Sequence, residues 1–271
     1  MKAKILFIIA LLCSLVTGAQ AQHNVTQDAT MSEGWSITPD NPVSAGATVT
    51  ATYGGTRHVK SVKCMPAGHL SGKFTVNASG DKVYFSKGNL QQTGANSWKF
   101  ADNQWDCFGT DQQDGHRDLF TWSNWSEDAG IQASLGTGWR ALMGSGEGEW
   151  DYLFETRTVN GGTGMNKSYT IGQSVNGVLG VVLYPDDYTG SAYTTGADWA
   201  GFEAAGCVFL PAAGLDDGTV QEVGVSGRYW SSALYDAESA YDIYFNSDLI
   251  AFGNSDYRSW KLSVRLVFPA E

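Results

Sequence analysis

The side chains able to perform covalent chemistry are few and scattered in this sequence. After the first 21 residues the cysteines are Cys64, Cys107 and Cys207, with no Cys-x-x-Cys pair and no histidine-rich cluster, so a zinc site has no support. No serine stands in a Gly-x-Ser-x-Gly turn. His116 and Asp118 lie on one predicted loop, where near neighbours in sequence seldom converge on a substrate. We therefore expect no catalysis and no cofactor.

Acidic residues on predicted loops are the other candidates for a metal site. Calcium takes several oxygen ligands from flexible loops, yet none of these aspartates follows a loop of defined ligand spacing. Aspartate also favours solvated turns, which is the interpretation that we adopt, and we expect no bound metal. The aspartates concerned are Asp111, Asp114, Asp118, Asp186, Asp187, Asp216 and Asp217.

The charge balance restricts the class of partner. The chain has 17 basic and 28 acidic residues, a formal net charge of −11, which repels nucleic acid and anionic lipid. We expect a neutral, cationic or polar partner, an unknown protein or glycan, and no nucleic acid. The 33 glycines and the 13% of aromatic residues are typical of an all-β or loop-rich extracellular fold.

The N-terminal residues 1–21 have the pattern of a secretory signal peptide. Lys2 and Lys4 precede an apolar run at residues 5–16, and the small residues Ala19 and Ala21 suit cleavage before the next residue, Gln22. We expect the chain to be exported and to lie at the cell surface, in the periplasm or outside the cell.

Membrane attachment is not expected. The apolar run of the signal peptide is shorter than the roughly 20 residues that cross a bilayer, and no later segment approaches that length. Cys13 follows two leucines, where lipid attachment requires a small residue, so a lipid anchor there is the alternative that we do not adopt. We expect a monomer without a transmembrane segment.

Two domains follow the signal peptide in the predicted organisation. Residues 22–72 are predicted to form a small β domain, immunoglobulin-like or partial, that ends in a linker, because residues 35–63 alternate polar and apolar side chains around a turn at residues 54–55. Residues 73–271 form the main domain, which opens with a predicted hairpin of the segments 73–76 and 82–86.

The main domain is predicted to contain short strands and one or two helices. Residues 147–158 repeat apolar side chains at three- and four-residue steps after a capping residue, Ser145, and residues 198–205 predict a shorter helix. Cys207 lies in an apolar run and is expected to be a buried free thiol. Strands are predicted at residues 180–184, 208–210, 229–232, 240–245 and 263–268.

Eight stretches of the main domain share their pattern and their order with one family. They are residues 83–91 (VYFSKGNLQ), 100–106 (FADNQWD), 118–122 (DLFTW), 138–142 (GWRAL), 149–154 (EWDYLF), 208–214 (VFLPAAG), 227–232 (GRYWSS) and 263–267 (SVRLV). Together they resemble the Fibrobacter major paralogous domain, which is itself similar to C-type-lectin-like and formylglycine-generating-enzyme-like domains. The resemblance runs through nearly all of residues 82–267.

The resemblance implies an α+β, C-type-lectin-like domain. Such a domain has a mixed, mostly antiparallel sheet, one or two helices and long loops, with strands near both of its ends brought together. The formylglycine-generating relatives use a late cysteine pair, but no cysteine follows Cys207, so that activity is the less favoured alternative. The tryptophans in the matching stretches are expected in the core. They are Trp105, Trp122, Trp139, Trp150 and Trp230.

The resemblance extends to the variable proteins of diversity-generating retroelements. In those proteins a final segment between a Tyr-Trp-Ser-Ser strand and a Ser-Val-Arg-Leu-Val strand is changed by adenine-directed mutagenesis, and both strands stand here around residues 233–262. Randomised adenines of an Asn codon cannot encode Trp, Met, Lys, Glu or Gln. From residue 233 to residue 257 only Glu238 belongs to these five types, where about four such residues are expected. Relatives usually have a glycine at the position of Lys261, so the last turn is expected to differ.

We expect residues 233–262 to display the ligand-binding surface. Tyr and Trp offer wide contact area at low entropic cost, while Asp and Asn provide adaptable hydrogen bonds. Tyr241, Ile243 and Phe245 are left out because alternation turns them inward. The alternatives are a solvated loop and a structural or fimbrial adhesin domain without a specific ligand. The candidate residues are Tyr235, Asp236, Asp242, Tyr244, Asp248, Phe252, Asn254, Asp256, Tyr257 and Trp260.

Overall fold

The computed structural model describes residues 67–126, 129–144 and 148–270, and the backbone of six short strands before them. The chain divides into two compact units, Met1–Ala67 with Ala133–Thr137, and Gly68–Gln132 with Gly138–Glu271. Part of the sequence analysis falls outside the described residues. This part is the signal peptide apart from Leu11–Leu12, the turn at residues 54–55, Cys64, Ser145 and the first residue of the predicted helix, Glu147.

The smaller unit is described by the backbone of its strands. They form two antiparallel sheets, in the orders β1-β2-β4 and β3-β5-β6. The alternating segments on either side of the predicted turn pair with each other as β5 and β6, with Thr48 opposite Lys63. The strands are β1 (Leu11–Leu12), β2 (Gln22–Val25), β3 (Trp35–Thr38), β4 (Val43–Ser44), β5 (Thr48–Tyr53) and β6 (Ser61–Lys63).

The larger unit is a mixed α+β structure of short strands and a few short helices, in agreement with the predicted class. The strands of this unit pair with one another only in antiparallel fashion. The strands are β7 (Phe74–Thr75), β8 (Lys82–Phe85), β9 (Leu90–Gly94), β10 (Ser97–Phe100), β11 (Tyr169–Val175), β12 (Val178–Leu183), β13 (Val208–Pro211), β14 (Leu215–Asp216), β15 (Val220–Gln221), β16 (Gly227–Leu234), β17 (Ser239–Phe245), β18 (Ile250–Tyr257) and β19 (Val267–Ala270).

The first and last parts of the larger unit meet in one sheet, in the order β19-β8-β7. Phe85 of β8 lies opposite Val267 of β19, and both side chains are fully buried. The predicted hairpin at the start of the unit is present, because Phe74 of β7 pairs with Val83. The sequence predicted that the last strand begins four residues earlier, but there Ser263 makes an isolated bridge with Tyr229, and Val264 and Leu266 make single backbone hydrogen bonds.

The predicted helix at residues 147–158 is an α-helical turn, α3 (Glu149–Asp151), followed by a π-helical turn at Tyr152–Thr156. The backbone N–H of Arg157 donates to the carbonyl of Tyr152, five residues earlier, at 2.8 Å. The segment buries Trp150, Leu153 and Phe154, the apolar residues of the predicted helical pattern. The apolar face was therefore predicted correctly, whereas the wider last turn was not.

Three further helices lie in the larger part of the chain. The predicted helix at residues 198–205 is α4 (Trp199–Ala204), where Asp198 caps the N-terminus by accepting the backbone N–H of Ala200 at 3.2 Å. The helices α1 (Trp122–Ser126) and α2 (Ala129–Leu135) were not predicted. Among the described residues, no helix is long and apolar enough to cross a membrane.

Aromatic side chains fill the interior of the larger unit. Trp139, Trp150 and Trp230 are buried, as the family resemblance implied for them. Trp150 packs against Phe85 with ring centroids 6.3 Å apart, and Trp230 donates its indole N–H to the carbonyl of Phe120 at 2.7 Å. Trp105 and Trp122 are only half-buried, so their placement in the core was wrong. Both lie where loops or a short helix reach the surface.

Replacement of a buried tryptophan should destabilise the fold. We expect Trp150→Ala and Trp230→Ala each to lower the free energy of unfolding by about 3–5 kcal/mol, because each leaves a large cavity and Trp230→Ala also removes the indole hydrogen bond to the carbonyl of Phe120. Met165→Ala is the control, since the Met165 side chain is 55% exposed. Urea unfolding measures the difference, and wild-type stability of either tryptophan variant would contradict the packing described here.

Candidate functional site

The predicted site lies on one antiparallel sheet, in the order β16-β17-β18. Tyr229 of β16 pairs with Ile243 of β17, and both side chains are buried in the main core. Phe245 is buried on the same side. The inward orientation predicted for Ile243 and Phe245 is therefore confirmed. Because side chains alternate along a strand, Tyr241 lies on the same side of the sheet as Ile243 and Phe245.

Three tyrosines continue this apolar side to the end of the sheet, where the core no longer covers it. Ser239 pairs with Tyr257, and Ser239 is two residues from Tyr241, so Tyr241 and Tyr257 share one side. The ring of Tyr235 packs edge-on against Tyr241, with centroids 5.3 Å apart. Tyr235 is 57% exposed and Tyr257 is 54% exposed. We call Tyr235, Tyr241 and Tyr257 the tyrosine face.

The turn between β16 and β17 is held in place by polar contacts. The carboxylate of Asp236 accepts the backbone N–H groups of Glu238 at 2.8 Å and Ser239 at 2.7 Å. These two donors lower the pKa of Asp236. The guanidinium of Arg258 donates to the carbonyl of Ala237 at 3.2 Å, and it lies 5.0 Å from the ring centroid of Trp122. The exposed turn is thereby fixed to β18 and to α1.

Trp260 lies beside the tyrosine face. Its ring packs edge-on against Tyr257, with centroids 5.9 Å apart, and its side chain is half-buried. Tyr235, Asp236, Tyr257 and Trp260 are thus the candidate residues that the structure places at one end of the sheet. The sequence analysis left out Tyr241, which belongs to the same end and is only half-buried.

Asp242 was expected on the displayed surface, but its side chain is buried, with 1% of the residue exposed. It stands on the opposite side of the sheet from the tyrosine face, paired with the fully buried Trp230 and with Asn254. The amide of Asn254 donates to the two carboxyl oxygens of Asp242 at 3.1 and 3.2 Å. Alternation correctly predicted that Asp242 lies on the side of the sheet opposite Ile243, but other residues cover that side too.

Asp256 and Tyr244 complete a polar cluster around Asp242. The guanidinium of Arg228 donates to Asp256 at 2.6 Å and lies 4.7 Å from the ring centroid of Tyr244. Burial and the neighbouring charge of Asp256 raise the pKa of Asp242 to about 8, against the favourable contacts with Asn254 and Arg228. Asp242 therefore holds a proton at neutral pH, which allows a hydrogen bond between the two carboxyl groups.

The two remaining candidates lie away from the tyrosine face. Phe252 packs against Phe154, with ring centroids 5.1 Å apart, so it belongs to the edge of the core and not to an exposed surface. Asp248 is exposed, but it lies in the turn between β17 and β18, at the far end of the sheet. Its backbone N–H donates to the side chain of Asn246 at 2.8 Å, which is the pattern of a polar turn.

The residues considered for catalysis and metal binding have structural roles. The buried carboxylate of Asp118 accepts from the backbone of Phe108 at 2.7 Å and from Gln112 at 2.6 Å, while the ring of His116 stacks on Phe108. Cys207 is a buried free thiol, as predicted, and burial raises its pKa to about 12. In the described residues no group of three or more His, Cys, Asp or Glu could hold a metal.

Apart from Asp118, the loop aspartates considered as calcium ligands divide into two ion-paired residues, Asp186 and Asp216, and four exposed residues, Asp111, Asp114, Asp187 and Asp217. Asp186 accepts from Lys82 at 2.6 Å and from the buried Arg157 at 3.1 Å, and Asp216 accepts from Lys261 at 2.6 Å. These two are internal ion pairs and not the solvated turn residues that the sequence predicted. Asp111 and Asp114 lie near His116 and Arg117 at the surface, with closest N···O distances of 3.4 and 3.6 Å.

The sequence analysis missed a pocket between the turn that joins β11 to β12 and the helix α4. Its volume is about 530 Å³. Two buried aromatic residues, Tyr193 and Trp199, the half-buried Trp105 and the carboxylates of Asp198 and Glu203 line it. These residues come from segments far apart in sequence, so no local motif could have shown the pocket.

Comparison with known proteins provides no family for this chain. No protein-family model, no curated protein and no solved structure matches it. The interpretation of the surface and of the pocket therefore rests on their geometry.

The buried carboxyl of Asp242 should make stability depend on pH. Because its pKa in the folded state is about 8 and its ordinary value is near 3.8, folding keeps a proton that the unfolded chain releases. The contribution of Asp242 to the free energy of unfolding is complete below about pH 4 and is lost as the pH rises through 8. Asp242→Asn should flatten this decrease, since an amide can accept from Asn254 and donate to Asp256 without carrying a charge.

Thermal unfolding between pH 4 and pH 9 measures this effect. We expect Asp242→Asn to melt at a higher temperature than the wild type above neutral pH, with a smaller difference near pH 4. Asp248→Asn, at an exposed aspartate of the same sheet, is the control and should follow the wild type. Parallel curves for Asp242→Asn and the wild type would contradict the proposed protonation.

Proposed function

We propose that this protein is an exported, non-catalytic ligand-binding protein with a C-type-lectin-like larger unit. The ligand is bound by the tyrosine face together with Trp260. The observation that supports this proposal is the exposure of Tyr235 and Tyr257, at 57% and 54%, on the side of the sheet that elsewhere forms the core. Large aromatic side chains in such a position gain free energy when a partner removes them from water.

One more apolar residue lies near the proposed surface. Met143 is 48% exposed. The neighbour of Met143 in the chain, Gly144, packs so closely on β16 and β17 that an added Cβ would lie 2.9 Å from Ser231 and 3.5 Å from Tyr241. Exposed apolar residues that lie together, next to polar turns, are typical of an interaction surface.

The proposed fold has support from three features of the larger unit. Strands from its two ends pair with each other, the strands pair mostly in antiparallel fashion, and the helices are few and short. The tryptophans of the GWRAL, EWDYLF and GRYWSS stretches are buried, as expected of shared core positions. These features agree with the organisation that the family resemblance implies.

The partner that suits this surface is a neutral or cationic protein or glycan. Asp236 and Glu238 are exposed in the turn next to the tyrosine face, and the whole chain has a net charge of −11. A strongly acidic partner would be repelled at long range. Tyrosine can form both apolar contacts and hydrogen bonds, which suits either class of partner.

Diversification of residues 233–262 by a retroelement remains part of the proposal. Variation at the exposed end of the sheet alters the binding surface, whereas variation at Asp242, Ile243 and Phe245 alters buried side chains. We expect the coding DNA for residues 227–267 to have a near-copy next to a reverse transcriptase gene. Sequencing of the genomic neighbourhood tests this, and the absence of both elements would contradict diversification while leaving the binding surface untouched.

Substitution of the exposed tyrosines of the tyrosine face should weaken ligand binding and leave the stability of the fold nearly unchanged. The exported chain is first screened on glycan arrays and on arrays of surface proteins, and each hit is measured again with Tyr235→Ala/Tyr257→Ala. We expect the affinity to fall more than tenfold, because interface energy is concentrated in a few aromatic residues. The free energy of unfolding should change by less than about 0.5 kcal/mol for each substitution, since both side chains are exposed.

The matched control removes exposed apolar residues elsewhere. Met165→Ala/Val225→Ala replaces side chains that are 55% and 60% exposed and should leave the affinity unchanged. Equal affinity of the tyrosine variant and the wild type would place the binding site on another surface. A wild-type chain without a ligand on either array would favour the structural alternative.

A further inference from the structure

The pocket beside α4 shares no residue with the tyrosine face and has a different chemical character. Its volume of about 530 Å³ is in the usual range of small-molecule sites. It is open to solvent, and its lining combines aromatic rings with carboxylates. The lining contains no lysine, arginine or histidine.

The aromatic wall of the pocket is rigid. Tyr193 packs edge-on against Trp199, with ring centroids 5.5 Å apart, and Trp199 packs in turn against the buried Phe209 at 5.8 Å. The hydroxyl of Tyr193 donates to the carbonyl of Ser174 at 3.0 Å. Trp105, which is half-buried, packs against the same cluster of residues. These contacts hold the ring faces in one arrangement.

The carboxylate of Glu203 is held from behind by a buried amide. Gln104 donates to Oε1 of Glu203 at 2.9 Å, and the oxygen of the same amide accepts from Arg265 at 2.9 Å and from the backbone N–H of Phe209 at 2.7 Å. Gln104 is fully buried, and its amide nitrogen also donates to the carbonyl of Cys207 at 3.1 Å, so it fixes the direction of the Glu203 carboxylate. Among the described residues no donor contacts the second oxygen, Oε2, of Glu203.

We propose that this pocket binds a small organic cation of the alkylammonium class. Glu203 supplies the opposite charge, Asp198 adds a second carboxylate at the rim, and the ring of Trp105 provides a face for the cation. An ammonium group within about 6 Å of a tryptophan ring gains a favourable cation–π interaction, and the gain is larger where water is partly excluded. The lining has no basic residue. One oxygen of Glu203 accepts from Gln104 and one oxygen of Asp198 accepts from the backbone N–H of Ala200, so among the described residues the second oxygen of each carboxylate has no donor and can contact the ligand.

The test uses choline and its neutral carbon analogue, 3,3-dimethylbutan-1-ol, which has the same shape without the charge. Isothermal titration calorimetry of the full exported chain, in about 0.15 M salt to screen the net charge of the protein, measures both. We expect choline to bind at least tenfold more tightly than the neutral analogue, and glucose not to bind. Equal affinity for the two analogues, binding of glucose alone, or no binding of choline would overturn the proposal.

Variants identify the residues responsible. Glu203→Gln removes the charge but keeps an oxygen that accepts from Gln104. Because the charge of Glu203 also favours the buried Arg265, we expect a folded protein with a small loss of thermal stability, and at least a tenfold loss of choline affinity. Trp105→Leu should weaken choline binding as well. Glu238→Gln removes an exposed carboxylate next to the tyrosine face and is the matched control, which should bind choline like the wild type. Undiminished binding by Glu203→Gln would overturn the assignment.

The result is independent of the proposed function. The Tyr235→Ala/Tyr257→Ala variant should bind choline with unchanged affinity, because neither tyrosine lines the pocket. Loss of choline binding in that variant would show that the cation binds at the tyrosine face and would overturn the pocket assignment.

Discussion

The larger unit depends on one buried cation. Arg265 is fully buried, and in the described part of the chain no carboxylate forms an ion pair with it. Its closest partner is the side-chain oxygen of Gln104 at 2.9 Å, with the carbonyl of Phe209 and the side chain of Asn89 at 3.4 Å. Burial lowers its pKa to about 10, so it stays charged at neutral pH. A buried charge is tolerated only where surrounding dipoles replace water, which fixes these segments relative to one another.

Both proposed sites follow from this arrangement. Gln104, which solvates Arg265, also orients Glu203 in the pocket. Tyr229, whose hydroxyl donates to the carbonyl of Pro211 at 3.0 Å and contacts Asn89, fixes β16 in the same polar cluster. Because β16 is anchored in this polar cluster, β17 and β18 extend beyond the core at one end of the sheet. The residues at that end, on the apolar side, remain uncovered. The tyrosine face is thus the consequence of a sheet that is longer than the core beneath it.

The sequence predicted the strands and helices better than it predicted which of their side chains are covered by other parts of the chain. Alternation located β16 and β17 within a few residues, and the apolar pattern located Trp150 in the core. Alternation also assigned Asp242 to the side opposite Ile243, but it could not show that both sides are covered, because the covering residues, such as Phe120, are distant in sequence. The pocket was unpredictable for the same reason, since Trp105 and Glu203 meet only through the tertiary fold. Local patterns determine the face of a side chain, whereas burial depends on what packs against that face.

The buried Asp242 also gives information about the origin of the composition of residues 233–262. An asparagine at this position would still accept from Asn254, and it would avoid a carboxyl group that must keep a proton to stay buried. A segment selected for stability alone would therefore not favour aspartate there. Aspartate is, however, one of the residues that adenine changes in an Asn codon can produce. Retention of a locally unfavourable residue is what the proposed diversification predicts, because that process varies codons without regard to burial, and only the rest of the fold compensates for the result.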